Sequence, residues 1–204
     1  MARIGIVVEG NGEVPAFKQL IPKLTSPNGI LGQPLRADLQ PKATPAQVAA
    51  SAKAAIGYFC RRNVDLIVVL IDLEDNPSAS TFSKNLQAAF TKLYPHIAVE
   101  VVVKNSCVEN WLIADVDALR KQPKRFAVTP ALVRSVCPDK ADSLDAQTLL
   151  NKAALKFEYD KGADPQKIMS HQNPLEVAQH SRSFRRFLRV IGNPDYQHQS
   201  RSPV

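Results

Sequence analysis

The sequence predicts an α/β fold: a mainly parallel, four-stranded sheet flanked by helices, with a helical extension towards the C-terminus. Three observations carry this. Apolar, strand-length runs alternate with amphipathic helical stretches through the first half, and strands separated by helices imply crossover connections and a parallel sheet. The runs Arg3–Val8 and 65–71 are nearly continuous in apolar residues, as in strands buried on both faces. From Val108 onward the pattern changes to helices and turns.

Each element has its own signal. The first strand, Arg3–Val8, leads into a helix over residues 13–24, with Val14, Phe17, Leu20, Ile21 and Leu24 on one face. Pro15 suits the first turn of that helix, whereas Pro22 is expected to distort its end. Ser26-Pro27-Asn28-Gly29 reads as a turn. A short strand is expected over 35–39, with Arg36 and Asp38 facing away from Leu35, Ala37 and Leu39. Thr44 is a natural cap and Pro45 a natural first residue for a helix over 45–61. The strand over 65–71 is the most apolar and is expected at the centre. A helix over 78–93 and a fourth strand over 98–103 follow. Helices are then expected over 108–119 and 143–158, and over Pro174–His180 and 181–191 either two helices or one with a bend. The division expected is an α/β core over 1–120, a helical extension packed on it over 121–192, and a flexible tail over 193–204.

Composition bounds the function classes. Hydrophobic residues make up 45% and charged residues 22% of the 204, an ordinary globular balance. No apolar run approaches the roughly 20 residues of a membrane helix. The chain enters its first strand almost at once, leaving no room for a signal peptide. Cys60, Cys107 and Cys137 are odd in number and widely spaced, which argues against a disulfide framework. His96, His171, His180 and His198 show no zinc spacing with them. A reduced, cytoplasmic protein is expected. The net charge of +7 favours polyanionic partners. Its basic residues cluster as Arg182, Arg185, Arg186 and Arg189, and as Lys121, Lys124 and Arg125. A basic collar around an acidic centre would hold a phosphate backbone.

That acidic centre is the main functional signal. Glu9-Gly10-Asn11-Gly12-Glu13 follows the first strand, and Asp72-Leu73-Glu74-Asp75 follows the central one. In parallel sheets ligands bind beyond the carboxyl ends of the strands, where Glu9 and Asp72 both fall. The glycine loop has no P-loop lysine and does not fit the dinucleotide fingerprint. Clustered carboxylates repel one another unless protons or a cation neutralise them, so a divalent cation is expected. Asp72 and Glu74 share one side if the strand continues. Glu13 is either a site acid or a favourable first-turn acid, and Asp75 either a metal ligand or a helix cap. Glu109, after the fourth strand, is a candidate additional acid. Trp111 reads as core. Asp115 either neutralises a basic residue or supports the site. Lys161, Arg185 and Arg186 are candidate substrate contacts, against a reading as solvated basic residues.

Glu9-Gly10-x-x-Glu13, with Asp72-x-Glu74 after a later strand, resembles the TOPRIM domain, a Rossmann-like fold of topoisomerases, bacterial primases, recombination proteins and OLD-type nucleases. Glu109-Asn110-Trp111-Leu112-Ile113-Ala114-Asp115 and Ser183-Phe184-Arg185-Arg186-Phe187-Leu188 resemble a small bacterial TOPRIM-like family, domain-of-unknown-function family 4276. The resemblance covers most of the chain. It implies metal-dependent phosphodiester hydrolysis of DNA or RNA with Mg2+ or Mn2+. Glu9 then acts as general acid or base, Asp72 and Glu74 bind metal, with Asp75 within reach, and Glu13 matches the second acid of OLD-like first motifs. Glu74 stands where the pair usually has a second Asp, which lengthens its reach. No tyrosine occupies a topoisomerase context, which leaves a nuclease among the TOPRIM activities. TOPRIM-like proteins of this size also resemble partners of ABC-type ATPases in phage defence. A partner-dependent subunit is therefore the alternative, and a non-catalytic metal- or nucleotide-binding module a third. A homodimer is left open.

Overall fold

The computed structural model describes residues 1–201 and 203. Its sheet contains β1 (Arg3–Val8), β2 (Gly29–Ile30), β3 (Leu35–Arg36), β4 (Leu66–Asp72) and β5 (Ala98–Lys104). Every recorded strand pairing is parallel. β4 lies between β1 and β5, the central position its apolar run predicts. Among the described residues the sheet has five strands, not four: β2 and β3 both pair with β1 along the same edge. Gly29, expected in a turn, pairs with Arg3, and β3 stops at Arg36 because only Val7 and Val8 remain opposite it.

One face of the sheet carries α2 (Pro45–Ser51), α3 (Lys53–Cys60) and α4 (Ala79–Leu93). There Val48, Phe59, Leu86 and Phe90 bury Ile67, Val69 and Ile71. The expected single helix over 45–61 is interrupted at Ala52, whose ψ of −3° leaves the helical value. Thr44 caps its start, accepting from the Gln47 N–H, as the sequence predicts.

The other face carries α1 (Glu13–Leu20), α5 (Val108–Ala114), α6 (Val116–Arg120), α7 (Pro130–Val136), α8 (Ala146–Ala153), α9 (Asp164–His171), α10 (Pro174–His180) and α11 (Arg182–Val190). Helix α1 ends at Leu20, and Pro22 sits in the 3-10 turn Ile21–Lys23 that follows. The helix expected over 108–119 breaks at Asp115, which turns out of helical geometry and caps α6 by accepting from the N–H groups of Asp117 and Ala118. Helices α7 and α9 were not expected; each is short and has a proline in its first turn. The helix expected over 143–158 is confined to α8, capped by Asp145.

The core on this face is continuous. Ile4, Ile6, Val68 and Leu70 of the strands pack with Trp111, Phe126, Phe184 and Phe187 of the later helices. Trp111, fully buried as predicted, stacks on Phe187 and meets Phe184 edge-on. Its Nε1–H donates to Ser183 Oγ at 2.7 Å, and Ser183 donates to Asp142 Oδ1 at 2.9 Å. The two C-terminal sequence motifs are thus halves of one packing unit.

In the tail, Pro194–Tyr196 forms a 3-10 turn and Arg201 pairs with Glu100. The part of the expected flexible tail at 202 and 204 lies outside the described residues. No helix among the described residues is long and apolar enough to cross a membrane.

Candidate functional site

The carboxyl edge of the sheet gathers the predicted acids around a residue that the sequence reading passed over. β4 and β5 pair in register up to Asp72 opposite Lys104. Both side chains therefore leave the sheet on the same face. The Lys104 side chain is fully buried, and its Nζ lies 2.8 Å from Asp72 Oδ1. Glu13, in the first turn of α1, brings its carboxylate to the same ammonium, with Oε1 and Oε2 each 2.8 Å away. The Asp72 contact is one of charge without hydrogen-bond alignment, so that Asp72 Oδ1 is a buried oxygen with no hydrogen-bond partner.

Glu9 completes the group from the end of β1. Its Oε2 accepts from the Asp72 N–H at 3.1 Å. The Gly10 N–H turns back to Glu13 Oε1 at 3.3 Å, which fixes the loop between the two acids. Gly12 is required by close approach: a Cβ there would lie 2.1 Å from the Lys161 carbonyl oxygen. The glycine loop is therefore pressed against the turn that carries Lys161.

Glu109 joins the same edge. It is buried in the first turn of α5 and accepts from the Tyr159 hydroxyl at 3.3 Å. Glu9, Glu13, Asp72, Glu109 and Lys161 line one small cleft of about 120 Å³. A larger cleft of about 550 Å³ adjoins it through Asp72 and Lys161 and is bounded by Lys42, Glu74, Asp75 and Cys107.

The remaining predicted residues separate. Glu74 and Asp75 do not turn inward with Asp72. The backbone at Glu74 enters the left-handed region, with φ of 47°. Glu74 and Asp75 reach Lys42 at 3.8 and 3.0 Å, and Asp75 is 87% exposed. Arg185 is tied to the Ala178 carbonyl and to Asp139. Arg186 is buried and donates to Asn105 Oδ1 at 3.0 Å. Neither arginine lines either cleft. Arg125 pairs with Asp164 and donates to the carbonyls of Leu155, Phe157 and Glu158, which makes it an internal tie. The cations at the rim are Lys42 and Lys161, and only Lys161 was a sequence candidate. Asp115 accepts from the Asn173 N–H and caps α6, so it serves the helices.

The electrostatics follow from one buried cation among several acids. Burial opposes the Lys104 ammonium, but Asp72 and Glu13 outweigh it and hold its pKa above the ordinary lysine value. Burial pushes the Asp72 carboxyl up to about 7; Lys104 opposes this, while Glu13 and Glu9 add to it. Glu9 is also raised, first by burial and then by Glu13 and Glu74, against the Asp72 N–H and Lys104. Burial and then Glu109 raise both the Cys107 thiol and the Tyr159 hydroxyl. Cys107 is therefore a thiol, not a nucleophilic thiolate.

Among the described residues, no three His, Cys, Asp or Glu side chains form a group able to hold a metal unaided. That is compatible with Mg2+, which usually takes one or two carboxylates and completes its shell with water and substrate phosphate. The donors are all oxygens, among them Asp72 Oδ1, which is held only by its ion pair to Lys104, and the acids outnumber the buried cation. The residues fit a hard divalent cation.

Together these features define an α/β protein with a parallel sheet and an acidic cleft at its carboxyl edge. The chain belongs to the family described as "Domain of unknown function (DUF4276)", whose model matches residues 8–192. No curated protein and no solved structure matches it.

Proposed function

We propose that this protein is a TOPRIM-like, metal-dependent phosphodiesterase that hydrolyses DNA or RNA. The observation that carries the reading is that Glu9, Glu13, Asp72 and Glu109 line one cleft at the sheet edge, where a single buried ammonium meets only Glu13 and Asp72. Excess negative charge in a cleft is costly unless a cation enters it. Asp72 and Glu9 would hold Mg2+ or Mn2+, which when bound activates a water and stabilises charge on the scissile phosphate.

The chain's own residues supply the rest. Lys104 and the Glu9 carboxylate fix Asp72 from opposite sides, through its Oδ1 and its N–H. Burial raises the pKa of Glu9, the direction that suits a general acid or base. Lys42 and Lys161 on the rim suit contacts to backbone phosphates. Cleft volume is ample for a nucleotide unit.

The test is cleavage of supercoiled plasmid, linear duplex, single-stranded DNA and structured RNA with Mg2+, Mn2+ or EDTA. Wild type is expected to cut at least one substrate in the presence of metal. Asp72→Asn and Glu9→Gln are expected to lower the rate by at least about 100-fold, the scale of losing a positioned acid–base group. Undiminished cleavage by both variants would overturn the reading. Failure of wild type to cut any substrate would turn attention to a partner-dependent activity.

A further inference from the structure

Lys104 is unusual in its surroundings as well as its burial. Its ammonium stands at one point 2.8 Å from three carboxylate oxygens: Glu13 Oε1, Glu13 Oε2 and Asp72 Oδ1. Two of these come from a single carboxylate in a bidentate arrangement, and the third from the adjoining strand. Each of the three side chains is largely shut off from water, at 0% exposure for Lys104, 6% for Glu13 and 16% for Asp72. Oxygen-only donors in that arrangement are what a hard divalent cation takes, at about 2.0–2.6 Å. A contraction of roughly 0.2–0.8 Å would bring the three oxygens to that distance. The Asp72 oxygen meets the ammonium as an ion pair at 2.8 Å.

The position is also held from outside the cluster. Lys104 is the last residue of β5 and lies opposite Asp72 in the parallel ladder. Its Cα is therefore fixed by the sheet, and Gly10 N–H holds the Glu13 carboxylate in place independently of the ammonium. Removing the lysine side chain would leave the oxygens converging on a vacated point without their counter-ion.

We infer that the Lys104 ammonium is a built-in cation standing at a divalent-cation position, so the site takes one divalent ion fewer than its carboxylates can hold. The inference rests on the reading of these carboxylates as cation ligands. It makes Lys104 a positioning residue that sets the metal count and keeps Glu13 and Asp72 together when no metal is bound.

The experiment is a count of bound Mn2+ per chain, from the free-ion electron paramagnetic resonance signal, for wild type, Lys104→Met and Lys104→Ala. Thermal melting of each is followed with and without millimolar MnCl2. Both variants are expected to bind one more Mn2+ than wild type, and their melting temperatures to rise with Mn2+ by more than that of wild type. A variant that folds only when Mn2+ is added also supports the inference. Folded variants with the wild-type count, or variants that stay unfolded in Mn2+, overturn it. The wild-type count tests the proposed function separately. One ion in wild type and one in the variants would overturn the inference and leave the metal-dependent reading standing. No ion in wild type and one in the variants would do the reverse.

Discussion

Replacing Gly12 with Ala tests whether the glycine loop is pressed against the turn that carries Lys161. The backbone at Gly12 is at φ −70°, ψ −22°, a region open to alanine, so the substitution carries no backbone strain. On chain entropy alone it would stabilise by about 0.4–1 kcal/mol. The methyl group, however, would stand 2.1 Å from the Lys161 carbonyl oxygen, and ordinary contact begins at 3.4 Å. That oxygen belongs to the backbone, so the Lys161 turn must withdraw by the difference, about 1.3 Å. Overpacking of this kind typically costs about 1–3 kcal/mol. The net loss is then about 1 kcal/mol or a little more, which for a chain of this size lowers Tm by about 2–4 °C per kcal/mol. The assay is a thermal melt beside Gly32→Ala, whose added Cβ meets nothing within 4 Å and whose Tm is expected to stay level or rise. A Gly12→Ala protein that melts at or above wild type would show that the loop and the Lys161 turn are not in contact.

Two further outcomes follow from the charges. Because the folded-state pKa of Asp72 is raised from 3.8 to about 7, the native state keeps a proton that the unfolded chain has already released. Its contribution to stability is full below about pH 3.8 and is lost as pH rises to about 7. Asp72→Asn removes that slope, so the Tm of the variant relative to wild type is expected to climb between pH 4 and pH 8; a difference that stays flat would show that Asp72 titrates normally. Lys23 donates to the carbonyls of Met169, Ser170 and Gln172 at the end of α9. Lys23→Met is expected to cost about 1 kcal/mol, since the freed carbonyls lie where water can partly replace the ammonium, and an unchanged melt would show that water replaces it fully.

The sheet was legible because its signal is local. Nearly continuous apolar runs marked β1 and β4 and a valine-rich run marked β5, and β4 lies at the centre as its composition predicts. The errors concern boundaries set by single residues or by pairing. Asp115 and Ala52 each divide a helical pattern, and neither is a proline or a glycine that would announce a break. β2 holds only Gly29 and Ile30 and exists because Arg3 and Ile4 offer them a parallel edge. Helices α7 and α9 are short, and their apolar residues serve a core shared with distant strands.

The acids of the site were legible for a different reason. Glu9, Asp72 and Glu109 each follow an apolar strand, where a charged residue interrupts a strong pattern. Lys104 interrupts β5 in the same way, yet a lysine after a strand ordinarily reads as the point where the chain meets water. What makes it a buried counter-ion is its register opposite Asp72 and the approach of Glu13 from α1, both of them tertiary facts. Glu74 shows the converse. Its spacing from Asp72 places the two on one side only while the strand continues, and at Glu74 the backbone has already turned to positive φ and carried the side chain towards Lys42. In a parallel sheet the last residues of neighbouring strands face one another. The charge of an acidic edge is therefore set by the basic residues that end the adjacent strands as much as by the acids that mark the motif.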